Sequence, residues 1–168
     1  HDVLCQMMQY SDIIFGDQNE WEIASGVPHI PFEALDADYE IDKEAYQEYF
    51  RKMHQLFPKC KKMLMAVRNQ IASSHHTLSG LLYDAVEDQL YTTRIYDIEP
   101  IVDPMGVGDA FIAAYIHAHQ KWGDKNQYCL DFSLSASAIK NTVPGDQNLV
   151  TEEEIINNMT SSGGRIQR

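Results

Sequence analysis

A chain of 168 residues is long enough to bury one core. Its 25 acidic against 13 basic residues leave a formal charge of −12, which opposes unspecific binding to nucleic acid or to an anionic membrane. No apolar run approaches the roughly 20 residues that cross a bilayer. No signal peptide is visible. Cys5, Cys60 and Cys129, odd in number and without a C-x-x-C pair, point to a reduced, cytoplasmic protein.

In chain order, Val3 to Tyr10 reads as the end of a helix and Asp12 to Phe15 as a short buried strand. Gln18 to Ser25 reads as a helix closed by Gly26, with Asp17 and Glu20 spaced as a capping box. Val27 to Asp42, with Pro28 and Pro31, is loop-like. Lys43 to Phe57 carries an apolar face of Ala45, Tyr49, Met53 and Leu56, flanked by Phe50 and Phe57. Met63 to Val67 is apolar without alternation, as a strand covered on both faces should be. Arg68 to His76 reads as a polar loop. Leu81 to Ala85 and Leu90 to Ile95 form a hairpin around Val86-Glu87-Asp88-Gln89. Three helices complete the pattern, over Ala110–Trp122, Asn126–Asn141 and Thr151–Asn158. Alternating strands and helices predict a layered α/β domain with a mostly parallel sheet flanked by helices.

The histidines do not form a metal-binding pattern. His117 and His119 lie two apart on a helix and face nearly opposite ways, and His75-His76 sit in the polar loop. The run Asp103-Pro104-Met105-Gly106-Val107-Gly108-Asp109 is more informative. It opens a helix marked by Phe111, Tyr115, Ala118 and Trp122. A helix start offers unpaired N–H groups and partial positive charge, and the two glycines let a ligand approach the backbone. That suits a phosphate. An acid behind the site would repel the anion, but it has a use if a hydroxyl proton is removed during phosphoryl transfer. The bland alternative is a helix with glycine in its entry loop and an acid favoured by the dipole.

The run Asp103 to Phe111 resembles the C-terminal signature of ribokinase-like (PfkB-type) carbohydrate kinases, written D-T-x-G-A-G-D-x-F. Pro104-Met105 in place of threonines, and Gly145-Asp146 after Ala138 to Thr142, resemble the 2-keto-3-deoxygluconate kinase branch. The similarity runs in order from Ser11 to Ile155. It implies that residues 1–160 correspond to the C-terminal, nucleotide-binding portion of a sugar kinase. It implies further that the family's N-terminal half and lid are absent from this chain, and residues 161–168 are expected to form a flexible tail.

The same resemblance implies Asp109 as catalytic base and Gly106, Val107 and Gly108 as the anion hole. The family's N-x-x-E becomes Asp17 and Glu20, implied to hold Mg²⁺ through water, with the capping box as the alternative role. Asn141 is implied to contact the nucleotide, and Arg68 to reach its phosphate or ribose. Asp146 is implied to meet substrate hydroxyls, where the bare residues read as a Pro144-Gly145-Asp146 turn. The loop after Met63–Val67 departs from ribokinases in having no glycine before Gly80.

The expected activity is ATP-dependent phosphorylation of a sugar or sugar-acid primary hydroxyl, 2-keto-3-deoxygluconate foremost. Partners are ATP and a small sugar, not nucleic acid or membrane; a monovalent cation and a homo-oligomer stay open. Ribose, fructose or nucleoside kinases are alternatives, as is a nucleotide-binding fragment inactive on its own. An unrelated acidic α/β domain is a third reading.

Overall fold

The computed structural model describes residues 2–32, 37–161 and 165–166. Along the chain run α1 (Asp2–Met8), β1 (Ile13–Gly16), α2 (Gln18–Ser25), α3 (Lys43–Leu56), β2 (Lys62–Ala72) and β3 (His75–Asp84). There follow β4 (Gln89–Thr92), β5 (Tyr96–Ile98), α4 (Val107–Trp122), α5 (Asn126–Lys140), α6 (Glu152–Thr160) and β6 (Arg165–Ile166). Residues 33–36 of the expected loop, and 162–164 and 167–168 of the expected tail, lie outside the described residues.

The strands form one sheet in the order β1-β2-β3-β5-β6, with β4 also beside β3. The expectation of a mostly parallel sheet is corrected here. Only β1–β2 and β5–β6 pair parallel, while β2–β3, β3–β4 and β3–β5 are antiparallel. A continuous apolar run reports cover on both faces, not strand direction. Direction is set by the hairpin that joins β2 to β3, which turns at Ser73-Ser74 without the glycine, proline or asparagine that would have announced it. The stretch read as a polar loop is therefore the far end of this hairpin, with a bulge between Gln70 and Ala72.

Side chains of the central strands alternate between two cores. Met63, Met65, Val67, Leu81 and Tyr83 pack with Trp21, Ala24, Tyr49, Phe50 and Met53 of α2 and α3. Leu64, Leu78 and Leu82 face the other way, against Phe111, Tyr115 and Ala118 of α4 and Leu130, Leu134 and Ala138 of α5. Burial of this kind contributes about 25 cal/mol per Å² of apolar surface and dominates the stability of the layers.

The inner face of α3 is rotated from the one expected. Tyr46, Tyr49, Phe50 and Met53 are buried, whereas Leu56 is 43% exposed. Four large side chains outweigh a single leucine near a helix end. α5 presents Ser133, Ser135, Ala136 and Ser137 inward. Their small side chains let the helix approach its neighbours, and Ser133 and Ser137 donate to the carbonyls of Phe111 and Val107 at 2.5 and 3.0 Å.

Candidate active site

Because β3 opposes each of its neighbours, β1, β2 and β5 all point the same way. Their carboxyl ends send the chain into the two loops that carry the candidate residues, at the edge where open α/β sheets collect ligands. Asp17 follows β1 directly and caps α2. Its Oδ1 accepts from the Glu20 N–H at 2.8 Å, and Glu20 Oε2 accepts from the Asp17 N–H at 3.0 Å. The capping box is thus present. It engages one oxygen of each carboxylate.

The α4 N-terminus, like that of α5, carries no side-chain cap. α2, α3 and α6 are capped by the side chains of Asp17, Asp42 and Thr151. α4 starts at Gly106 with no side-chain cap. Its first intrahelical bond runs from the Ala110 N–H to the Gly106 carbonyl at 2.9 Å, so the N–H groups of Val107, Gly108 and Asp109 precede the ladder. Asp109, Gly108, Asp17 and Glu20 line one cavity of about 310 Å³, whose apolar wall is Phe15, Ala66, Phe111 and Ile112. The structure therefore brings together Asp109, Gly108, Asp17 and Glu20, which lie far apart in the chain.

Gly106 holds this loop in place. Its φ is 72°, in the left-handed region. A Cβ there would collide with the Asp146 carbonyl and lie 2.7 Å from Asp146 Oδ1. Asp146 is exposed and directly beside the loop. Asp103 fastens the two segments, accepting the Met105 N–H through Oδ1 at 2.9 Å and the Gly145 N–H through Oδ2 at 2.8 Å. Those two amides, Met105 first, hold its carboxyl below the usual range. Asp103 was missed as a positioning residue. The local signal was an aspartate bonding its own chain two residues on, as Asx turns do.

Asn141 is fully buried. Its side chain donates to the Ser137 carbonyl at 3.0 Å, and its carbonyl accepts from the Val102 and Asp103 N–H groups at 2.8 and 3.2 Å. Arg68 stands two residues beyond Ala66 on β2 and lines a second cavity of about 370 Å³ with Ser73, His76, Val102 and Pro104.

His76, expected in a solvated loop, is instead 5% exposed on β3. His76 Nε2 and Asn141 Oδ1, buried near each other, both lack a hydrogen-bond partner of good geometry. Of the two, His76 lines the second cavity. Burial first, and then the charge of Arg68, lower the His76 pKa to about 4. An unfolded histidine titrates near 6.5, so the unfolded chain binds the proton first as pH falls. Stability linked to neutral His76 should be complete above pH 6.5 and lost towards pH 4, by about 3 kcal/mol in all. Subtracting the unfolding free energies of a His76→Gln variant across that range isolates the contribution. Parallel curves would show that His76 titrates normally.

No protein-family model matches the sequence, and no curated protein matches it either. Solved structures do match. The 2-dehydro-3-deoxygluconokinase of Thermotoga maritima superposes with a TM-score of 0.80 at 26% identity, over 95% of this chain and 44% of that one. A PfkB family carbohydrate kinase from Listeria grayi gives 0.72 at 25% identity, over 93% and 43%. The ribokinase of Arabidopsis thaliana, solved with ribose and ATP, gives 0.67 at 21% identity, over 94% and 44%. This chain spans less than half the length of each. Among the described residues no helix is long and apolar enough to cross a membrane. With its signature loop at the head of α4 and its fold laid over nearly its whole length on theirs, the chain is related to the PfkB/ribokinase-type carbohydrate kinases and matches a part of them.

Proposed function

We propose that this chain carries the phosphoryl-transfer site of an ATP-dependent sugar kinase. The observation that carries the reading is the uncapped α4 N-terminus opening, together with Asp109, onto the cavity shared with Asp17 and Glu20. The backbone amides at Gly106, Val107 and Gly108, where the loop enters α4, stabilise charge on the transferring group, where most of the catalysis in phosphoryl transfer lies. Asp109 accepts the proton of the attacking primary hydroxyl. Arg68, on the same face of β2 as Ala66, binds the nucleotide where the two cavities run along that strand. Asn141 holds Val102 and Asp103 through its main-chain carbonyl and is proposed to contact the nucleotide. Asp146, against Gly106, directs its carboxylate to the acceptor's hydroxyls.

The residues fit Mg²⁺ through water. Among the described residues no three His, Cys, Asp or Glu side chains converge as direct ligands, but Asp17 and Glu20 line the cavity beside Asp109. When bound, Mg²⁺ neutralises phosphate charge beside these carboxylates. For the acceptor we favour 2-keto-3-deoxygluconate, converted to its 6-phosphate, because the first two matches include a kinase of that sugar acid. Ribose or fructose are the alternatives. The free Cys5, Cys60 and Cys129 accord with a reducing cytoplasm.

A second reading is a nucleotide-binding part that needs further chain for turnover, favoured by its 44% share of the first matched kinase. Thermal unfolding with and without Mg-ATP tests both at the level of binding. A dose-dependent rise in Tm that disappears without Mg²⁺ is expected, because a ligand of the native state stabilises it by mass action. No shift in a cooperatively unfolding sample would sink the proposal. ATP binding without sugar-dependent ADP release would select the second reading.

A further inference from the structure

Five large apolar side chains at one end of the chain stay half to three-quarters exposed: Val3, Leu4, Met7 and Tyr10, on or just past α1, and Ile23 of α2. Val3, Met7 and Tyr10 follow one another at four- and three-residue spacing, which sets them on one side of α1 and the turn that ends it. Leu4 and Met8 line a groove of about 370 Å³ with Ile14, Trp21 and Ile23, and Glu20 is its charged residue. A helix that is apolar nearly all round belongs in an interior, so α1 needs cover on its outer side.

The sheet ends at the same place. β1 is the outermost strand, with β2 as its one neighbour among the described residues. Ile13-Ile14-Phe15-Gly16 carries none of the charges, prolines or bulges that keep an open strand edge from pairing.

Size and charge say what covers this face. At that exposure the five side chains present on the order of 400 Å² of apolar surface. A stable interface takes about 800 Å² from each partner, a little over half of it apolar. The face therefore has the apolar area of one dimer contact. Residues 3–10 carry no charge in a chain of net charge −12. Interface cores are depleted of charge in this way and enriched in Met and Tyr. An uncharged stripe is also where two copies of so acidic a chain approach with least repulsion. A two-fold axis sets a patch against itself, so a second copy supplies both the apolar cover and an unpaired strand edge.

We infer that the groove between α1 and α2, with the free edge of β1, is the docking surface for a second copy of this chain in a two-fold dimer. The inference does not rest on the kinase reading.

Sedimentation velocity of the full chain from roughly 1 to 100 µM, the weak end of the range for an interface of this size, tests it. The sedimenting mass should rise from 19.2 kDa to twice that value. Met7→Glu and Ile23→Lys, at exposed positions that the fold does not need, should each weaken the dimer at least about 100-fold, because a two-fold contact receives each unpaired charge twice. Val86→Glu, in the exposed turn between β3 and β4, should leave the dimer unchanged. Hydroxyl-radical labelling of Met7 and Tyr10 in the unaltered chain should fall as concentration rises, a readout that does not depend on any variant folding.

A monomer at every concentration overturns the inference and leaves this face to a different polypeptide. A dimer that survives both substitutions, or labelling of Met7 and Tyr10 that does not change, puts the contact elsewhere and overturns it equally. So does open-ended association past the dimer, since a two-fold contact closes on itself.

Discussion

Asp109→Asn is expected to lower kcat at least about 100-fold in the polypeptide that turns over, whether this chain or a longer one containing it. The carboxamide keeps the shape and the oxygen of the carboxylate but cannot take up the hydroxyl proton. Asp109 is exposed in the first turn of α4 and makes no side-chain cap, so the fold asks little of it. Loss of its charge at the positive end of the helix costs about 0.3–1 kcal/mol. The same charge repels the phosphates it lies beside. The Mg-ATP shift in Tm should therefore be at least as large in Asp109→Asn as in the unaltered chain. Steady-state turnover and thermal shift on one preparation separate the two effects. Near-normal turnover would remove Asp109 from the chemistry, and loss of binding would make it a structural residue.

The second large effect distinguishes the two glycines of the loop. Gly106→Ala places a methyl group on a left-handed residue against Asp146, with Oδ1 only 2.7 Å away and the backbone carbonyl closer still. The left-handed conformation alone costs a non-glycine residue about 1–2 kcal/mol. The overlap adds strain of the kind that overpacking brings, about 1–3 kcal/mol. A loss of roughly 3 kcal/mol is therefore expected, with the turn at Asp146 displaced and Mg-ATP binding abolished.

Gly108→Ala behaves oppositely. A Cβ there meets nothing within 4 Å, in open space beside the cavity. Alanine favours a helix over glycine, so stability should hold or rise by up to about 1 kcal/mol. The methyl group then stands where a phosphate must approach the first-turn amides, so binding should fall although the fold is intact. Equal behaviour of the two variants would show that this loop is not the anion site.

What the chain order made legible was local. The α2 boundaries, its capping box and its Gly26 terminus were readable because each depends on residues within one turn of another. The helix behind Asp109 was readable from its period, and the buried character of β2 from its unbroken apolar run. The direction of β3 was not, because Ser73-Ser74 turns the chain without a residue that demands a turn. With it went the burial of His76, a polar side chain that looks solvated until β2 and β5 are laid on either side of β3.

The sequence by itself therefore determined the chemistry on offer: two glycines and an acid at a helix start, and a pair of carboxylates spaced to cap a helix. Only the tertiary structure decided that these meet. Reversal of β3 leaves β1, β2 and β5 pointing one way and delivers Asp17, Glu20, Arg68 and Asp109 to a common edge. The physical reason is one of range. Caps, turns and helical periods are settled by neighbours a few residues apart, whereas a shared cavity depends on strand pairing and burial between segments separated by tens of residues.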